Sequence, residues 1–180
     1  MLRIKIKETE LFDEKTSTFH KIPGQTLTLE HSLISISKWE SKWHKPFLDE
    51  KPKTIEEETD YIRCMTVKDE ADPMVYQSLT MAQRRQINDY INDSMTATWF
   101  NERDKKGKSR KVITSELIYY WMVALQIPFE CEKWHLNRLL TLVRVCNIEN
   151  SPKKKMNKKD ALAQRRSLNA ARRQKYNTHG

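Results

Sequence analysis

The sequence predicts a mainly α fold: a helical domain with a short N-terminal β-hairpin and a basic C-terminal tail, helical or disordered. Three features of the chain lead there. Only Gly24, Gly107 and Gly180 occur among 180 residues, which disfavours folds rich in tight turns. Apolar residues recur at helical spacing from Ser32 to about Ile148, after two short alternating stretches near the start. The net charge of +9 is confined to the last thirty residues, which hold ten Lys and Arg against Asp160, whereas the first 150 carry 23 basic and 23 acidic residues. The organisation expected is an N-terminal element over 1–30, a helical body over 31–150 and a cationic tail over 151–180.

In chain order, Leu2-Arg3-Ile4-Lys5-Ile6-Lys7 and Thr26-Leu27-Thr28-Leu29 alternate as half-buried strands do, and Pro23-Gly24 supplies a turn between them. A two-stranded hairpin is marginal alone in water, so it is expected to rest on the helical body or on another subunit. Leu33, Ile36, Trp39 and Trp43 then form one helical stripe that ends before Pro46. Thr54 with Glu57 three residues later matches a capping box, followed by Tyr61, Ile62 and Met65 on the buried side. Asp72-Pro73 opens a short helix, and Thr80 caps another running to about Asn92, with Ile87, Tyr90 and Ile91 inward. Residues 101–111 contain no apolar side chain and read as an exposed loop.

Residues 115–126 are apolar nearly all round, so this helix is expected to be buried, with Pro128 stopping it. A second helix over 130–148 places Trp134, Leu136, Leu139, Leu140, Val143 and Cys146 on a broad face. A tight turn between them would make an antiparallel pair at the centre of the core. No stretch approaches the roughly 20 apolar residues needed to span a bilayer, and no apolar segment suited to a secretory signal follows Met1. Cys64, Cys131 and Cys146, odd in number and widely spaced, read as reduced packing cysteines of a cytoplasmic protein.

Each chemical motif has a plainer explanation beside it. Cys131 and His135 would share one side of a helix, but zinc needs about four ligands and no second pair lies near. The same two residues as a nucleophile pair lack an orienting acid. Glu56, Glu57, Glu58 and Asp60 crowd a helix start, where the dipole favours anions, so capping outweighs catalysis. Trp39, Trp43 and His44 fit a core stripe better than a base-stacking platform. The arrangement expected is non-enzymatic, with no cofactor and no metal.

Charge is the strongest binding signal. Lys153, Lys154, Lys155, Lys158, Lys159, Arg165, Arg166, Arg172, Arg173 and Lys175 make the tail a candidate site for nucleic acid or for an acidic protein face. Arg103, Lys105, Lys106, Lys108, Arg110 and Lys111 form a secondary basic cluster. Tyr176 is the sole aromatic of the tail, and no helix-turn-helix, zinc-finger or RNP pattern accompanies it, which argues against sequence-specific recognition.

The pattern of the whole chain adds a resemblance. Leu29-Glu30-His31-Ser32-Leu33, Ser37-Lys38-Trp39-Glu40-Ser41-Lys42-Trp43, Asp60-Tyr61-Ile62-Arg63-Cys64-Met65-Thr66, Ile87-Asn88-Asp89-Tyr90-Ile91, the block from Ile113 to Ile148 and Asn169-Ala170-Ala171-Arg172-Arg173 stand in this order. In this the chain resembles small tail-assembly proteins of long-tailed bacteriophages, tail assembly chaperones among them. The resemblance implies a protein in the cytoplasm of the infected host that holds the long helical tape measure protein in solution while tail tube subunits polymerise around it. The alternatives are a neck or tail subunit of the virion, and a small nucleic-acid-binding protein that uses the basic tail. Self-association is compatible with each.

Overall fold

The computed structural model describes residues 1–13, 17–67, 71–100, 112–151 and 158–177. They divide into two compact units, Met1–Asn147 and Ile148–Gly180. The secondary basic cluster (Arg103, Lys105, Lys106, Lys108, Arg110, Lys111) lies outside the described residues, as do Lys153, Lys154 and Lys155.

The first unit begins with β1 (Leu2–Ile6), β2 (Thr9–Asp13), β3 (Thr18–Ile22) and β4 (Gln25–Leu29). The two alternating stretches do pair: β1 and β4 run antiparallel with Leu2 opposite Leu29 and Ile4 opposite Leu27. Between them the chain makes a second antiparallel pair, β2–β3, in register Thr9–Ile22 through Asp13–Thr18. The single hairpin expected is thus two nested two-stranded ladders. The inner one was hidden because its faces are mostly polar and its large apolar pair, Phe12 and Phe19, is turned to solvent. Period-2 alternation does settle burial on the outer ladder, where Ile4, Ile6, Leu27 and Leu29 are all inward.

Six α-helices follow among the described residues: α1 (Leu33–Trp43), α2 (Ile55–Met65), α3 (Met81–Asn92), α4 (Ser115–Ala124), α5 (Leu136–Asn150) and α6 (Lys158–Tyr176). Three begin with reciprocal capping boxes, at Ser32 with Ser35, Thr54 with Glu57 and Thr80 with Gln83. Asp72 caps a 3-10 turn over Pro73–Tyr76, shorter than the helix expected there. None of these helices is long and apolar enough to cross a membrane.

Helix α1 is the hub. It packs on α2, α4 and a 3-10 turn at Phe129–Lys133, burying Leu33, Ile36 and Trp39 among Leu29, Met65, Ile118, Met122, Leu136 and Leu139. Trp39 is 1% exposed, and its indole N–H donates to the Glu57 carbonyl at 2.9 Å. Glu40 on the same helix is buried as a charge acceptor. One carboxylate oxygen takes the Phe47 N–H at 2.7 Å and the other takes the Ser115 N–H, in the first turn of α4, at 2.8 Å. The exit of α2 extends the outer ladder, with Glu30 N–H donating to Met65 O and Val67 N–H to Thr28 O.

Two expectations are corrected here. Helix α4 is not buried all round: Ser115, Ile118 and Met122 face inward, while Tyr120 (65%) and Val123 (61%) are exposed and Trp121 is half-buried. Nor do α4 and a 130–148 helix form the central pair. Residues 129–133 are a 3-10 turn, α5 starts only at Leu136, and the close approaches to α4 come from α1. Apolar composition overstated burial because, among the described residues, α4 packs one face on α1 and touches the 129–133 turn through Tyr119, leaving Tyr120 and Val123 uncovered.

The core therefore answers to α1. Trp39→Ala is expected to destabilise the protein by about 3–5 kcal/mol, as large-to-small changes at sealed sites do. Trp121→Ala should cost less than half as much; urea unfolding of both variants compares them directly.

Candidate functional site

Cys131 and His135 do not share the helix face that their spacing allowed. Cys131 lies buried in the 3-10 turn, where burial and then Glu130 push its thiol above the ordinary range. His135 stands before α5. Its Nε2–H donates to the Tyr90 carbonyl at 2.9 Å and its Nδ1 accepts the Asn137 N–H at 3.3 Å. Those two bonds fix the orientation of the ring. Among the described residues, no three His, Cys, Asp or Glu side chains gather as a metal site.

His135 instead meets His31, ring centroids 5.0 Å apart, edge to face. His31 is 2% exposed and its Nδ1 bonds the Tyr61 hydroxyl. The His31 carbonyl takes the Leu136 N–H at 2.7 Å. Nearby, Tyr90 donates its hydroxyl proton to Glu30 at 2.7 Å. Burial, then the neighbouring His135, push the His31 imidazole down to about 3, and burial raises Tyr61 and Tyr90 well above the usual phenol range. His31, Tyr61 and Tyr90 are thus all pushed towards their neutral forms, and the knot clamps the start of α1 to α3 and α5.

The acidic run resolves as the capping explanation expects. Glu57 closes the box at Thr54 and bonds Lys45 at 2.6 Å, while Glu56 and Glu58 are exposed. Asp60 is partly buried, which favours its protonated form. Hydrogen bonds from Lys42, Trp43 and Arg63 overcome that and hold it below the ordinary carboxylate range. A carboxylate so pinned is a poor proton carrier. It forms the floor of a cleft of about 570 Å³ between α2 and the Pro73–Tyr76 turn.

The larger concavity lies on the other side of α2. A groove of about 1000 Å³ runs between the 47–53 segment, α2 and α3. Its apolar surface comes from Phe47, Leu48, Ile62, Ile87 and Ile91, with Met81 at the mouth 82% exposed. Lys51, Lys53, Arg84 and Arg85 line it against Asp49 and Glu58, so its rim is net cationic. Lys53 sits over the Phe47 ring at 4.4 Å, and Arg84 is tied to Thr59 and the Tyr76 carbonyl. The groove could not be read from the sequence because its walls come from three segments joined only by folding. Met81, just inside a helix cap and far from the buried stripe of α3, was the one local hint.

Of the predicted tail site, Lys158 and Lys159 fall on α6 with side chains outside the described set, and Arg165, Arg166, Arg172, Arg173 and Lys175 are exposed on it. No family model, curated protein or solved structure matches the chain.

The buried imidazole makes a pH prediction. With the His31 pKa at about 3 when folded and 6.5 ordinarily, the unfolded chain takes up a proton that the folded chain refuses. The stabilising contribution is whole above pH 6.5 and is lost as pH falls towards 3, at up to about 1.4 kcal/mol per pH unit. Chemical denaturation at pH 7, 6 and 5 should show that slope, and His31→Gln should flatten it.

Proposed function

We propose that this chain is a non-enzymatic assembly protein of long-tailed bacteriophages, a chaperone that holds a helical stretch of the tape measure protein while the tail forms in the host cytoplasm. The groove between α2, α3 and the 47–53 segment carries the reading. Its apolar lining, from Phe47, Leu48, Ile62, Ile87 and Ile91, suits anchors at i, i+3 and i+7 of an amphipathic helix, the usual mode of helix-in-groove recognition. Met81 at its mouth is unbranched and adapts to unlike partners, as a chaperone of a long repetitive client requires. The cationic rim selects segments whose polar flanks are acidic.

Met81→Glu and Arg85→Glu test this, since both residues are exposed and neither supports the core. Co-expressed with a tape measure protein of a long-tailed bacteriophage, the native chain should keep it soluble and co-purify with it. The double variant should lose at least tenfold in recovered complex while its melting temperature stays within a few degrees. Equal recovery with the variant would sink the groove as the client site. Finding the chain at fixed copy number in purified particles would replace the chaperone with a virion subunit.

A further inference from the structure

We infer that α6 is a nucleic-acid-binding helix whose arginine face grips the phosphodiester backbone without reading sequence. Along a helix, positions 162, 165, 166, 169, 172, 173 and 176 fall on one stripe, the spacing that normally forms a buried apolar seam. Here that stripe is Leu162, Arg165, Arg166, Asn169, Arg172, Arg173 and Tyr176, every one of them exposed. The opposite side is built mostly from small or neutral residues, Ala163, Gln164, Ser167, Leu168, Ala170, Ala171 and Gln174, with Lys175 as its one cation between 162 and 176. Charge placed merely for solubility would be scattered round the helix. Here all four arginines share one face, and Lys175 alone stands off it.

The arginine face also lacks local partners. No Asp or Glu occurs from Ala161 to Tyr176, so none of the four arginines has an acid three or four residues away to neutralise it. Two arginine pairs stand seven residues apart, about 10 Å at 1.5 Å per residue, which spans about three base steps of a duplex strand at 3.4 Å each. Guanidinium forks suit phosphate oxygens better than ammonium groups do, because they bond two at once. Asn169 lies midway between the pairs and adds a neutral donor to the same backbone.

Other polyanionic partners fit less well. A membrane-surface helix needs a broad apolar face with aromatic anchors opposite its basic one, and the back of α6 offers Leu168 among alanines. An acidic protein interface needs a desolvated apolar centre, whereas Leu162 and Tyr176 stand at the two ends of the arginine face with only polar residues between. A regularly spaced, strongly hydrated polyanion requires neither.

Binding of the full chain to a 20-base-pair DNA duplex, and to an RNA duplex of the same sequence, measured by fluorescence anisotropy from 50 to 300 mM salt, tests the inference. Replacing Arg165, Arg166, Arg172 and Arg173 by Gln should weaken binding at least thirtyfold at 50 mM. It should also reduce the slope of log K against log salt by about three to four, as loss of four phosphate contacts on B-DNA requires. A second variant, Gln164→Arg with Arg165→Gln and Ala171→Arg with Arg172→Gln, keeps the net charge but carries two guanidiniums to the opposite side. It should lose at least fivefold. Either duplex binding in this way supports the inference, and the tighter of the two names the natural ligand. Unchanged affinity in the charge-preserving variant, failure of both duplexes at 50 mM, or tighter binding to polyglutamate of equal charge would overturn it.

Discussion

A buried carboxylate holds this fold together. Glu40 projects from α1 into an environment where an unpaired charge would be prohibitive, and its two oxygens are met by main-chain N–H groups of Phe47 and Ser115. The first donor is seven residues on and the second seventy-five. Through them α1 fixes both the segment that leaves it and the start of α4, where the helix dipole also favours an anion. Phe47 in turn begins one wall of the large groove and stacks closely on Tyr61, with Trp39 edge-on at 5.2 Å. The binding concavity therefore inherits its shape from the core and is not a loose gap between loops.

The same economy explains the histidine knot. His31, His135, Tyr61 and Tyr90 look like catalytic furniture, yet the hydrogen bonds they make run to one another, to Glu30 and to the main chain. Their work is to join segments distant in sequence, with His31 and Leu136 linked through the main chain. Polar groups in such a place specify which segments meet, a task that an apolar contact performs with less selectivity.

Local signals in the sequence were reliable where the cause is local. The boxes at Thr54 and Thr80 start helices because a hydroxyl and a carboxylate or amide three residues on satisfy free N–H groups, and that pattern is visible in four letters. The Leu33, Ile36, Trp39 stripe pointed inward for the same reason. Burial of α4 was overestimated because an apolar composition says nothing of how many neighbours arrive, and Tyr120 and Val123 have none among the described residues to cover them. The β2–β3 ladder escaped notice since neither of its faces is consistently apolar. Glu40 was unreadable: it sits in a polar run, and its partners become adjacent only after α4 docks. The groove shares that fate, whereas the arginine positions of α6 could be listed from the sequence and needed only helical geometry to fall into line.

The long reach of Glu40 and His31 has a consequence for synthesis. An N-terminal stretch ending at α3 already contains the ladders, α1 and α2, but it lacks Ser115 for the Glu40 carboxylate and Leu136 for the His31 carbonyl. Until α4 and α5 arrive, the Glu40 oxygen and the His31 carbonyl keep water in place of those main-chain partners. At translation rates of about 5–20 residues per second, the forty-odd residues from the end of α3 to Leu136 take roughly two to nine seconds to appear. Throughout that interval the nascent chain holds a half-closed core, so the window in which it most needs protection from the ribosome and its attendants opens well before the last helix is made.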